Sequence, residues 1–420
     1  MPLSQQSAPT SLRQVLAGGG RATIGVLVGL QVLDSVDNVM FVVFAPEIRE
    51  SLGISTAAVG VVGALAGVMV ALAALPLGLL GDRHRRTTIA GVATLVWAAA
   101  AGVLGMVQHL WQAVAVRVVA GVGKANEGPI QSSLLVDAYP PAGRGRVLGL
   151  HRGGQPLGTV AGPLLAAAFA AFIPAEHEPW RWAFAFLAVP ALLLGLAALR
   201  LPEPVREHAT TTPRGALKDL RKIPTLLGVM VALGAFGISV TTVPIYLNVI
   251  LEEQLGQGAA ARGVITAVCA AGGLLGAALG GILSDRLFRR SPPACLHLAA
   301  GALSVLGIGF AVQAYAQDVT TYVVIGVVIQ AMTYAGIVPL SLVVASVTPK
   351  EFRATAFALV GVFTAVVGGL GGAALTGVAE KLWGVQVAVV VIAPVASVAA
   401  GLVLIGTARH VRGDIARVVR

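Results

Sequence analysis

Gly78-Leu-Leu-Gly-Asp82-Arg83-His84-Arg85-Arg86 breaks two long apolar runs with a burst of charge. About 200 residues later Gly281-Ile-Leu-Ser-Asp285-Arg286-Leu-Phe-Arg289-Arg290 does the same. Each copy reads Gly-x-x-x-Asp-Arg and then an Arg-Arg pair, flanked by apolar sequence. A charged break that recurs at corresponding places implies a chain made of two similar halves.

The flanking runs identify the solvent. Of 420 residues 56% are hydrophobic and 11% charged, with a mean hydropathy of +0.86. A soluble domain carries about 25% charged residues to cover its surface. Most of this surface must therefore face lipid, and a soluble enzyme is excluded. Runs of about 20 residues cross ~30 Å of hydrocarbon as helices, because lipid offers the backbone no hydrogen-bond partners. The spacing predicts an all-α membrane protein of twelve spans. They are 22–45, 56–80, 87–107, 110–136, 145–173 and 180–200, then 223–251, 259–283, 291–315, 319–346, 352–378 and 383–408. The domains that follow are a tail at 1–20, a six-helix bundle at 21–200, a loop at 201–222, a second bundle at 223–408 and a tail at 409–420.

The net charge of +10 does not point to nucleic acid, because the basic residues sit in short turns. Twenty-two Lys and Arg fall on the side that holds both termini; only Arg49, Arg181, Arg262 and Lys381 fall on the other. This asymmetry predicts cytoplasmic termini and a cytoplasmic central loop. Residues 1–20 are polar, and the apolar run after them is too long for a cleavable signal. Cys269 and Cys295 are isolated and read as packing residues, with no metal spacing. High Ala, Gly, Val and Arg content and the lack of an Asn-x-Ser/Thr sequon suit a bacterial inner membrane. A monomer is expected.

The duplication extends to Pro140-Pro-Ala-Gly-Arg144 after span four and Pro349-Lys-Glu-Phe-Arg353 after span ten. Two parallel six-span halves with Asp-Arg turns at matching places resemble the major facilitator superfamily. The usual glycine before the Arg pair is absent in both copies, and the first copy is one residue shorter. In that architecture the halves rock about a substrate site between them. Gly78, Asp82, Arg83, Arg86, Asp137, Arg144, Asp285 and Arg286 are then expected to form a cytoplasmic gate. In such a gate an Asp accepts from helix-start amides and from Arg in one state and releases them in the other. The plainer reading is that the arginines only hold the loops inside.

Charges within the spans carry more information, since at membrane depth they are paired, buried or functional. Span one has Asp34 and Asp37; span four has Arg117, Lys124 and Glu127; span five has Arg152. Corresponding spans of the second half offer only polar groups, among them Tyr246, Asn248, Gln330 and Tyr334. At ~1.5 Å per residue, Asp37 lies level with Arg117, and Glu127 with Arg152. Asp34 is one turn deeper, on the face of Asp37, with Arg117 or Lys124 in reach. Neighbouring arginine and burial move a carboxylate's proton affinity in opposite directions. Helix motion can therefore load and unload a proton at Asp34, Asp37 or Glu127, although a static ion-pair network is the alternative. Arg117, Lys124, Arg152 and the second-half polar groups are candidates for substrate contact, with guanidinium suited to an anionic head group. His151 reads as a solvated interfacial histidine.

Local strings narrow the resemblance. Asp37-Asn-Val-Met-Phe-Val-Val-Phe-Ala-Pro46 resembles the Asp-Arg…Ala-Pro end of span one in the Spinster-like (Spns) branch. Arg117-Val-Val-Ala-Gly121-Val-Gly123, Leu134-Leu-Val-Asp137-Ala-Tyr-Pro140-Pro, Arg144-Gly-Arg146 and Trp180-Arg-Trp-Ala-Phe are similar to it as well. Asn38 replaces that branch's Arg. Lys124 replaces the Glu after Gly-x-Gly, with Glu127 one turn on. The resemblance implies a proton-linked exporter of lysophospholipid or sphingosine-phosphate-like lipid, with Asp37 and Arg117 in functional positions. Gly149, Gly158 and Gly162-Pro163 resemble the antiporter motif of drug exporters. The leading expectation is thus proton-driven translocation of an amphiphilic lipid by alternating access. The alternative is a multidrug or small-molecule proton antiporter. No cofactor is expected beyond the proton gradient, and no phosphate-binding loop for ATP is visible.

Overall fold

Apolar runs without backbone partners in lipid fold as helices, and the computed structural model shows nothing else among the residues it describes. These are 20–139, 144–204, 220–349 and 352–419. Eleven helical stretches are long and apolar enough to cross a bilayer. They are Arg21–Val43, Thr56–Gly81, Arg86–Leu104, Val147–Phe172, Pro179–Leu199, Pro224–Glu253, Ala259–Arg290, Pro293–Gln313, Val319–Val347, Thr355–Trp383 and Val385–Val418.

Span four is the exception. It runs as an α-helix over Leu110–Lys124, a π-helix over Glu127–Gln131 and an α-helix over Ser132–Ala138. Pro129 accounts for the break: it has no N–H and its ring crowds the carbonyl four residues back. The ladder slips by one residue, so that Gln131 N–H donates to Asn126 O at 3.2 Å. Such π-bulges concentrate at functional sites, and this one begins at Glu127.

The charged repeats are helical, not turns as the sequence suggested. The span-two helix continues through Arg83, leaving His84-Arg85 as the turn, and the span-eight helix contains all of Gly281–Arg290. Most of the central loop and the N-terminal tail lie outside the described residues. So do the side chains of Asp82 and Arg144.

Helix partners repeat between halves. Span one packs on five, two on four and three on six; correspondingly, seven packs on eleven, eight on ten and nine on twelve. The halves meet through spans five and eight and through spans two and eleven. Adding six to one pair gives the other, as expected for two bundles related by a two-fold axis. Leu75, Leu79, Phe172, Leu275, Leu279 and Leu402 stand more than half exposed on the outside, where lipid would cover them.

Span five lies against span one closely enough to need glycine. A Cβ on Gly158 would sit 2.3 Å from the carbonyl oxygen of Val32, which is backbone and has no room to retreat. Gly149, in the same glycine string, has nothing within 4 Å of an added Cβ. This divides the string into a contact position and a free one. Gly158→Val is expected to lose about 1–3 kcal/mol to overpacking, seen as a lower unfolding temperature in detergent. Gly149→Ala, in a helix interior where Ala is favoured, should match or exceed the parent.

Candidate functional site

Span four reaches span one because its Gly121-x-Gly123 string brings it against spans two and three. A Cβ on Gly121 would meet Ala66 O at 2.4 Å, and one on Gly123 would meet Ala93 O at 2.7 Å. With that seating, Arg117 and Lys124 project at the span-one carboxylates. Arg117 Nη1 donates to Asp37 Oδ2 at 2.9 Å, and Lys124 Nζ to the same oxygen at 2.5 Å. Lys124 also pairs with Asp34 Oδ1 at 2.8 Å and donates to Asn38 Oδ1 at 3.1 Å. Asn38 Nδ2 in turn donates to Asp34 Oδ2 at 3.2 Å. Asn38 thus neutrally bridges Lys124 and Asp34.

Two cations and two anions form a quartet with no net charge. Arg117 and Asp37 are only 2% exposed at their side chains. Desolvation of such charges costs several kcal/mol per ion and is tolerated when each has a close partner. The guanidinium carbon of Arg117 also lies 3.9 Å from the centre of the Phe41 ring and 5.9 Å from that of Phe184. Lys124 Nζ is 5.1 Å from the centre of the Trp97 ring. Lys124 ends its α-helix, where the helix dipole favours a cation. In this conformation Arg117 is sealed away and offers no direct contact to a substrate.

One turn further, Arg152 Nη1 pairs with Glu127 Oε1 at 3.0 Å. This second pair is open: the Arg152 side chain is 57% exposed. A cavity of about 10 Å³, lined by Asp34, Trp97, Lys124, Asn126, Glu127 and Gln131, joins the pair to the quartet. Its size is that of one water molecule. His151 corrects the sequence reading. It is fully buried, with Nε2 3.1 Å from Gln131 Oε1, because Gly158 draws span five inward.

At the face carrying the basic turns, the Asp82 side chain expected to act there lies outside the described residues, and Arg86 is the hub of the ion pairs described there. Its Nη1 pairs with Asp137 Oδ2 at 2.5 Å and its Nε with Glu203 Oε1 at 3.1 Å. Glu203 also accepts from Thr87 N–H and Oγ1–H, both at 2.9 Å, and so caps span three. Burial raises the Glu203 carboxyl, but these Thr87 and Arg86 bonds outweigh it and hold the group below the usual carboxylate range. Its stabilisation is therefore present at neutral pH and lost as pH falls through that lowered value. Sequence reading did not single out Glu203, although an acid just after span six was visible. Gly78 packs on Pro129 of the π turn. Arg83, Asp285 and Arg286 are exposed and make no ion pair among the described residues. All ion pairs described at this face lie within one half.

The cross-half bonds lie at the opposite end, where sequence reading placed only topology residues. Arg262, 0% exposed, bonds Glu47 across the halves, pairs with Glu252 at 3.4 Å and donates to Gln257 O at 2.9 Å. Arg49 pairs with Glu253 at 2.9 Å. Tyr246 donates to Glu380 at 2.8 Å, and Glu380 accepts from Ala57 N–H in the other half at 3.2 Å. Tyr246 therefore belongs to this end and not to the first-half quartet. Asn248 is buried and donates to its own Pro244 O. Gln330 and Tyr334 are half-buried in span ten and make no side-chain hydrogen bond among the described residues, although the Tyr334 ring packs on Gly273. The sequence signal for the missed residues was acid and base just after span one, at Glu47 and Arg49, and on both sides of the span-seven to span-eight turn, at Glu252, Glu253 and Arg262.

Two pseudo-symmetric helix bundles, bonded across one face and holding buried charge at mid-depth, define a secondary transporter fold. The sequence profile of the Major Facilitator Superfamily matches residues 27–313 and 247–417, and the chain belongs to that family. A probable 4-methylmuconolactone transporter of Cupriavidus pinatubonensis is 28% identical over 286 residues, 65% of each chain. This chain thus spans just under two thirds of that relative. A probable sulfoacetate transporter of Cupriavidus necator is 25% identical over 306 residues, covering 68% of this chain and 69% of the relative. Among solved structures, a bacterial homologue of the human lysosomal transporter Spinster, inward-facing and unoccupied, superposes with a TM-score of 0.78. It shares 19% identity over 94% of this chain and 97% of its own, a likeness of fold.

Breaking a buried pair by removing one partner costs about 3–5 kcal/mol. Asp37→Asn, which leaves Arg117 without a carboxylate, should lower the unfolding temperature clearly more than Asp34→Asn, after which Lys124 keeps Asp37. At the cross-half end the asymmetry is the same. Spin labels across spans one and eight should report separation in Glu47→Gln, which removes the cross-half partner of buried Arg262 and leaves it Glu252 and Gln257 O of its own half. Glu253→Gln, at an exposed pair worth under ~1 kcal/mol, should leave the distances unchanged.

Proposed function

We propose that the protein is a proton-coupled carrier of an amphiphilic organic anion, with the basic face in the cytoplasm of a bacterial inner membrane. The observation that carries this reading is the exposed Arg152–Glu127 pair beside a sealed, neutral quartet. Arg152 is the accessible cation of the network, and Glu127 competes with any anion for it. When a substrate carboxylate, sulfonate or phosphate takes the guanidinium, Glu127 is left unpaired near Asp34, and a proton neutralises it. Anion and proton therefore bind together, which makes the carrier a symporter. Asp34 and Asp37 keep Lys124 and Arg117 balanced while this exchange occurs. Transport then requires the Glu47–Arg262, Arg49–Glu253 and Glu380–Ala57 bonds to break so that the opposite face opens.

The names of the two sequence relatives, a probable 4-methylmuconolactone transporter and a probable sulfoacetate transporter, favour a metabolite-sized substrate. The Asp37–Pro46 string favours the second reading, in which the head group of a lysophospholipid meets Arg152 in the same way.

Proteoliposomes with an internal pH dye separate these readings. Compact carboxylates and sulfonates should enter together with protons, and lysophosphatidic acid is the comparison substrate. Arg152→Gln should abolish anion uptake. Glu127→Gln should leave anion binding in place but independent of pH. Uptake without proton movement would sink the coupling, and uptake of cationic drugs alone would sink the anion assignment.

A further inference from the structure

Arg152 and His151 are consecutive at the end of the span-five segment Arg144–Arg152, before Gly153 interrupts the helix. They grip the two ends of one π turn. Arg152 bonds Glu127, its first residue, and His151 bonds Gln131, its last. The first contact is exposed and the second fully buried. Wild-type chemistry at Glu127 thus depends on a turn whose far end is held by a histidine outside the exchange itself.

The hydrogen-bond directions in this chain are set from one fixed point. Gly123 O is only an acceptor, so Asn126 presents its Nδ2 to it, at 2.8 Å. Asn126 Oδ1 then faces Gln131 and accepts from its Nε2 at 2.9 Å. Gln131 is left with Oε1 toward His151, and an oxygen there accepts only. His151 must therefore donate from Nε2. Its Nδ1 is buried without a partner among the described residues, so the ring is anchored through Nε2 alone.

We infer that His151, as its Nε2–H tautomer, is a positioning residue that holds the Glu127–Gln131 π turn in place while Arg152 leaves Glu127 for the anion. This rests on the proton–anion exchange proposed above. Groups that share the surroundings of Glu127 are Arg152 from span five, Asp34 from span one, Lys124 from span four, and Thr94 and Trp97 from span three. Without the His151 anchor, release of Arg152 would free span five from the π turn altogether. Glu127 would then lose its fixed distance from Asp34 and Lys124.

The test has two independent arms on the full-length protein. Nitrogen-15 NMR of histidine-labelled protein, with His151→Gln identifying the signal, should show Nε2 protonated and Nδ1 bare at neutral pH. The Nδ1–H tautomer or an imidazolium would overturn the inference whatever the protein transports. In the transport arm, His151→Leu should raise KM for the anion roughly tenfold, the equivalent of one ordinary hydrogen bond, and displace the pH profile. His151→Gln, which keeps a donor, should restore both. In a Glu127→Gln background His151→Leu should no longer move the pH profile. Equal effects of Leu and Gln, or an undiminished shift in that background, would overturn it. If wild type and Glu127→Gln share one pH profile, the exchange reading fails, and the tautomer measurement still decides the His151 anchor.

Discussion

The carboxylate of Asp37, held between Arg117 and Lys124 out of reach of water, is the constraint on which the first half depends. A buried charge is tolerated only with close partners, so spans one and four must be in register to within a fraction of a turn. That register in turn requires backbone approach on every other side of span four. Gly121 and Gly123 provide it against spans two and three, and Gly158 seats span five on span one. The phenyl ring of Phe41 and the indole of Trp97 close the cations off with apolar faces that still attract positive charge.

A sealed quartet beside an open pair separates two tasks. The quartet is neutral, and its Asp37, Arg117 and Lys124 side chains are almost fully buried, so it fixes the register of spans one and four. Glu127 and Arg152 form an ion pair at the start of a π turn, and its cation is 57% exposed. The π register is itself a consequence of Pro129 in a span that must still cross the bilayer. Glu127, at the start of that slip, gains a neighbour on span five.

The second half answers this with structure instead of charge at mid-depth. Glu252, Glu253, Glu380 and the buried Arg262 are at the end opposite the basic turns, where they bond Glu47, Arg49 and the start of span two. Among the described residues, the ion pairs that cross between bundles lie at this one face. The basic face, by contrast, ties Arg86, Asp137 and Glu203 to one another on the first-half side.

Apolar run length and the positions of Lys and Arg were enough to read membrane spans, their number and the duplication, because lipid punishes any other backbone arrangement. Depth counting also put Asp37 level with Arg117 and Glu127 level with Arg152, since helical rise is nearly constant. Rotation about each axis was not legible, and it decided the rest. It assigned Lys124 to both Asp34 and Asp37, buried His151 where solvent was expected, and sent Tyr246 to Glu380. Contacts between residues 200 or more apart, such as Arg262 with Glu47 or Arg49 with Glu253, leave no periodic trace in the chain. Only the packing of one bundle on the other brings such charges together, because their partners lie on helices that are neighbours in the folded state alone.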